Sequence, residues 1–235
     1  MKKYMMVIIS LFIGLVQSNE LQNFYQKHLI PSYDARYQLL DKHVNKCRAT
    51  VSKCLPLSVM VKQPKRTYMK YESLARVYYA EKVRNCICQE GLTNIEVVQK
   101  KLFMPISSIQ MCVAADFVEG NCNKPLSLVE VQELLCITEN IGYCDWSYSN
   151  DSPANIIRRK SDGKLVIVDT GDESFGELKT TALEHLAFKC TLMQEAREYV
   201  EFLLEQKDTS QEKLVVDREG LDVLKSQLEE SRRSS

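Results

Sequence analysis

Two neighbouring segments hold most of the residues that could do chemistry, Tyr148–Ile157 and Asp162–Gly171. Carboxylates accept protons and bind hard cations, whereas amide oxygens do only the second. The candidate carboxylates are Asp151 and Asp169, with Asp145 just upstream, and the candidate amide is Asn155. Ile156-Ile-Arg-Arg159 and Leu165-Val-Ile-Val168 read as strands, and Asp162-Gly163 between them is a two-residue hairpin signal. That turn opposes Ser161 to Lys164 and Asn155 to Thr170, which brings Asn155 beside Asp169 at the open end of the hairpin. The plain alternative is that these polar groups only make turn contacts.

A second constellation lies upstream. Leu57-Ser-Val-Met-Val61 reads as a strand ending at Lys62, and the spacing of Leu74, Val77, Tyr78 and Cys88 predicts a helix from about Lys70 to Gln89, stopped by Gly91. Glu81 falls four residues after Val77 and seven after Leu74, on the apolar face of that helix. A carboxylate buried there without a cation costs several kcal/mol in order of magnitude, and Lys62 is the natural partner. Lys65 and Lys70 compete for it, and an edge position that reaches water would remove the need.

Other chemistries find little support. His28, His43 and His185 are far apart and no G-x-S-x-G elbow occurs, so a hydrolase nucleophile is not visible. Cys86-Ile-Cys88 is not a C-x-x-C redox or zinc pair. The 31 basic residues balance 31 acidic ones, which leaves no basic field for nucleic acid. Lys2-Lys3, the apolar run Met5–Val16 and the small-residue exit at Ser18 have the form of a secretory signal peptide cleaved before Asn19. The expected location is therefore periplasmic or secreted, with no stable membrane span after cleavage. In an oxidising compartment some of the nine cysteines would pair, and the odd count leaves one over.

Those groups must be positioned by the surrounding elements. Ile95–Met104 and Ile109–Val118 read as strands, the second so continuously apolar that it belongs in the middle of its sheet. Ser127 followed by Glu130 predicts a capping box on a helix that runs to about Glu139, with Gly142 beyond it. Leu178–Leu204 is amphipathic with helical period, and Thr209 and Glu212 could cap a charged final helix. Strands before helices predict an α+β fold. The organisation expected is a leader over 1–18, a helical segment over 19–56, a sheet-containing lobe over 57–120, a helical lobe with the hairpin over 121–208 and a charged tail over 209–235.

In order, Lys62, Glu81, Asn155 and Asp169-Thr-Gly171 resemble the protein kinase-like fold, including its aminoglycoside-phosphotransferase-like and other divergent branches. The resemblance covers about residues 57–175 and implies a two-lobed molecule with ATP as cofactor. In it Lys62 contacts the nucleotide phosphates, Glu81 orients Lys62, and Asn155 and Asp169 hold Mg²⁺. Asp145 or Asp151 is the base, with Asp145 preferred, because the position five residues before Asn155 is Asn150 and an amide takes no proton. No glycine lies between Asn19 and Lys62, so the usual phosphate-covering loop is missing. These departures point to a weakly active kinase-like protein or a pseudokinase acting on an unknown protein or small-molecule substrate. The alternative is a non-enzymatic exported interaction protein with a few disulfides.

Overall fold

The computed structural model describes residues 23–24, 26–47, 49–64, 72–106, 110–121, 124–146, 155–176, 183, 186 and 192–207. The leader, Asp151 and the charged tail lie outside the described residues, as do Cys122, Cys190 and His185. In chain order the elements are α1 (Ala35–Lys46), β1 (Val51–Cys54), β2 (Val59–Lys62), α2 (Glu72–Gln89), β3 (Ile95–Val97), β4 (Lys100–Phe103) and β5 (Cys112–Asp116), followed by β6 (Gly120–Asn121), α3 (Leu128–Ile141), β7 (Ile156–Arg159), β8 (Leu165–Ile167) and α4 (Gln194–Lys207). The class is mixed helix and sheet, consistent with α+β.

Two four-stranded sheets form. The first is antiparallel throughout, in the order β1-β2-β5-β4, so the continuously apolar β5 is indeed internal. The second has the order β3-β8-β7-β6, with β3 parallel to β8 and the other pairs antiparallel. The expected strand Ile95–Met104 is therefore two strands in different sheets. The Val98 N–H bonds the Ile167 carbonyl of the second sheet at 3.1 Å, and the next carbonyl, of Gln99, accepts from Asp116 of the first at 3.1 Å. The chain changes sheets across one peptide, and Val98, Ala115 and Val166 pack together at the handover. Hydropathy is blind to that switch because both halves remain apolar.

α2 packs against both sheets. Its apolar residues enter two clusters, Leu74 and Val77 with Leu102 and Val113 of the first sheet, Tyr79 and Val83 with Ile95, Ile156 and Ile167 of the second. A helix buried this far round lies inside the fold rather than on it. Gly91 ends it at φ +64, where an L side chain would be strained. α3 starts at the expected capping box: Ser127 accepts from Glu130 N, Glu130 reaches back to Ser127 N, and Gly142 closes the far end at φ +75. α4 packs Ala196 and Val200 into the same core as α3.

The hairpin register differs from the expected one. Ile156 faces Ile167 and Arg158 faces Leu165, so Asn155 faces Val168 and not Thr170. The loop has four residues, not two. Gly163 alone takes positive φ, Asp162 accepts from Lys164 N at 3.2 Å, and its carboxylate also holds the Arg159 guanidinium. A shift of two residues keeps every side chain on its predicted face, because the strand period is two.

Candidate functional site

Lys62 closes β2, paired in register with Val51 and Val113, and its Nζ lies 2.8 Å from Asp169 Oδ2, two residues beyond β8. One ion pair thus ties the first sheet to the second. The other carboxylate oxygen, Oδ1, takes the Nη1 of Arg76 from α2. Arg76 Nη2 also meets Glu72 Oε1 at 3.0 Å, one turn earlier, and Glu173 Oε1 at 3.2 Å. A third cation completes the group from β4: Lys100 is 2% exposed and donates to Thr170 Oγ1 at 2.6 Å, while that hydroxyl donates to the Arg76 carbonyl at 2.6 Å.

The electrostatics follow from burial and neighbours. Burial alone would push the Asp169 carboxyl up, but Lys62, Arg76 and Lys100 outweigh it and hold the group below its usual range. For Lys62 the balance is opposite: burial lowers its affinity for the proton more than Asp169 restores it. Burial takes the Lys100 amine well below an ordinary lysine. Arg76 stays above its usual value despite burial, through Asp169, Glu173 and the Glu72 hydrogen bond.

Asp145 joins the same neighbourhood by a different route. Residues 143–145 run antiparallel to 174–175, with a bridge between Tyr143 and Phe175 and the Cys144 N–H on the Ser174 carbonyl at 3.0 Å. Ser174 Oγ donates to Asp145 Oδ2 at 2.9 Å, and the Tyr143 hydroxyl donates to the Asp145 carbonyl at 2.9 Å. Burial and then the charges of Asp145 and Asp169 push the Tyr143 phenol well up, so both carboxylates act on one ring. Asn155 begins the hairpin with its carbonyl taking the Val168 N–H at 2.8 Å, one residue before Asp169.

Glu81 is placed elsewhere. Its carboxylate meets Lys27 and His28 of the N-terminal segment, where Phe24 also stacks toward Tyr78. It therefore does not fill the role of Lys62 partner, which Asp169 has taken. The reason is helical phase: Arg76 and Glu81 are five residues apart, about 140° around the helix, so only one of them can face the hairpin. Arg76, Lys100 and Thr170 were not singled out from the sequence. Glu72 and Arg76 at i,i+4 were a detectable signal, and so was Lys100 two residues before the buried Leu102 on a strand face.

A divalent cation does not fit Asp169 as it is arranged, since both oxygens already face cations and a magnesium ion needs oxygen ligands in near-octahedral geometry. Among the described residues, no cluster of three or more His, Cys, Asp or Glu side chains is set to hold a metal ion. Among the described residues, Cys47, Cys54, Cys86, Cys88, Cys112 and Cys136 are free thiols. A cavity of about 160 Å³ lies under α1, between Leu40, Val59 and Ala114. By strand alternation it occupies the opposite face of the first sheet from Lys62 and Val113. No helix of the described residues is long and apolar enough to cross a membrane. No family model, curated protein or solved structure matches the chain.

Proposed function

We propose that the chain is an exported, divergent protein kinase-like protein that binds ATP weakly between two lobes and transfers its γ-phosphoryl group slowly or not at all. In this reading the first sheet and α2 form the small lobe, and the second sheet with α3 and α4 forms the larger one. The observation that carries it is the Lys62–Asp169 ion pair, in which a strand-end lysine of one sheet meets the carboxylate that follows the hairpin of the other. Lys62 faces the phosphates, and Asp145, held by Ser174, is the base in any residual transfer. Orientation of Lys62 falls to Asp169 rather than to Glu81. The missing glycine loop before Lys62 and the neutralised Asp169 both argue for feeble catalysis.

The same two facts favour the second reading, an exported interaction protein that has kept the frame and lost the chemistry. Thermal denaturation over a wide ATP range separates them, because a ligand that binds only the folded state stabilises it by mass action. A small rise in Tm that disappears in Lys62→Met supports nucleotide binding. No rise at any concentration leaves the interaction protein. Robust ATP turnover that is lost in Asp145→Ala would refute the pseudokinase leaning and identify the base.

A further inference from the structure

Arg76 is the residue in the cleft that the kinase-like reading does not account for. It is 6% exposed, its two terminal nitrogens are spread over Asp169, Glu72 and Glu173, and its buried Nε has no hydrogen-bond partner. Beside it Lys100 is 2% exposed and meets only a hydroxyl, Thr170 Oγ1. Three cations from three elements, β2, α2 and β4, thus converge on Asp169, and the third nearby carboxylate, Glu173, is 64% exposed. A buried cation is stable only when matched by negative charge.

A metal ion entering this cluster would be a fourth cation. To reach Asp169 it must displace Lys62, which loses its ion pair, and Arg76, which keeps only Glu72 and the exposed Glu173. A polyphosphate has the opposite effect: its oxygens are themselves partners for Lys62 and Lys100, and a guanidinium with a spare N–H is suited to phosphate. The cluster reaches the surface at Lys62 and Asp169, whose side chains are 17% and 20% exposed.

We infer that Arg76 takes the place of the divalent cation at Asp169, so that the cleft binds the nucleotide polyphosphate as the free anion, without metal. This rests on the nucleotide-binding reading above and adds to it a metal-independent site with Arg76 as its specificity-determining residue.

The test is a titration of the full chain with a fluorescent N-methylanthraniloyl ATP at constant ionic strength, once in EDTA and once in excess Mg²⁺, with folding monitored by circular dichroism. The expected wild-type affinity in EDTA equals or exceeds that in Mg²⁺. Arg76→Met should lose at least tenfold in EDTA and recover part of that loss in Mg²⁺, because Asp169 Oδ1 is then open to the metal. Arg76→Lys, which keeps the charge, should lie between them. Wild-type binding that requires Mg²⁺ overturns the inference and leaves nucleotide binding standing. Arg76→Met binding that matches wild type in EDTA also overturns it. No binding in either buffer overturns both. If Arg76→Met does not fold, the wild-type comparison in the two buffers decides alone.

Discussion

Among the described residues, the carboxylates of Glu130 and Asp169 each meet a guanidinium group, and they have opposite surroundings. Glu130 sits in the first turn of α3, where it faces both terminal nitrogens of Arg158, with Nη2 at 2.9 Å, and accepts from Ser127 N at 2.8 Å. Arg158 goes on to bond the carbonyls of Pro125 and Gly163, at 2.8 and 2.9 Å. That pair fastens a helix start to a hairpin and is closed on itself. Asp169 lies in an open network: Lys62 and Arg76 hold its two oxygens, Arg76 reaches on to Glu72 and Glu173, and a buried guanidinium nitrogen is left over. The contrast separates an ion pair that holds the fold from the cluster proposed to accept a ligand. Burial and short distances are common to both, and satisfaction of the donors is what differs.

The largest expected effect breaks the closed pair. Glu130→Ala leaves the part-buried Arg158 without its carboxylate and removes half of the capping box, so unfolding free energy should fall by about 3 kcal/mol, read by denaturant titration. ATP binding should be unchanged wherever the variant is folded, because Glu130 touches nothing at the cleft. The open cluster should respond the other way. Lys100→Met removes a buried amine and keeps its volume, while Thr170 retains its bond to the Arg76 carbonyl. Stability should rise by up to about 2 kcal/mol, and ATP affinity should fall. A loss of stability in Lys100→Met would mean that the lysine is structural and would erase the distinction. Ser127→Ala is smaller, about 1 kcal/mol lost from the α3 cap, again with binding intact.

How much of this was legible follows from the range of each signal. Capping and helix stops are local, and Ser127, Glu130, Gly91 and Gly142 all act where their spacing put them. The Asn155–Asp169 neighbourhood was legible because hairpin pairing is nearly local, although the loop begins two residues earlier than Asp162-Gly163 suggests. The meeting of Lys62 with Asp169 is not local, and neither is the arrival of Arg76 and Lys100. Lys62 and Glu81 looked like partners because both are charged residues near apolar positions. Only the rotation of α2 between its two sheets decides which face turns to the hairpin, and that is set by packing of Leu74, Val77, Tyr79 and Val83 together.

The smallest predicted effect concerns the N-terminal segment on α2. Burial lowers the His28 pKa below its usual 6.5 more than Glu81 restores it, with Lys101 and Lys27 adding to the fall, while Lys27 and His28 hold Glu81 low against burial. Both groups therefore bind protons more weakly in the folded state. Their contribution is complete above about pH 6.5 and is lost as pH falls, first through the His28 range and then through that of Glu81. Thermal midpoints should decline from pH 7 to pH 5, and His28→Gln should flatten that limb. A profile unchanged in His28→Gln would assign the acid sensitivity elsewhere.

The central claim is that Lys62 and Asp169 mark a nucleotide site, and an ATP acyl phosphate reads it most directly, because the reagent acylates a lysine amine held against bound phosphates. Peptide mass spectrometry of the labelled chain should find Lys62 modified, with Lys100 as the second site, and excess ATP should suppress both. Labelling confined to exposed lysines such as Lys27 and Lys160, and indifferent to ATP, would contradict the account.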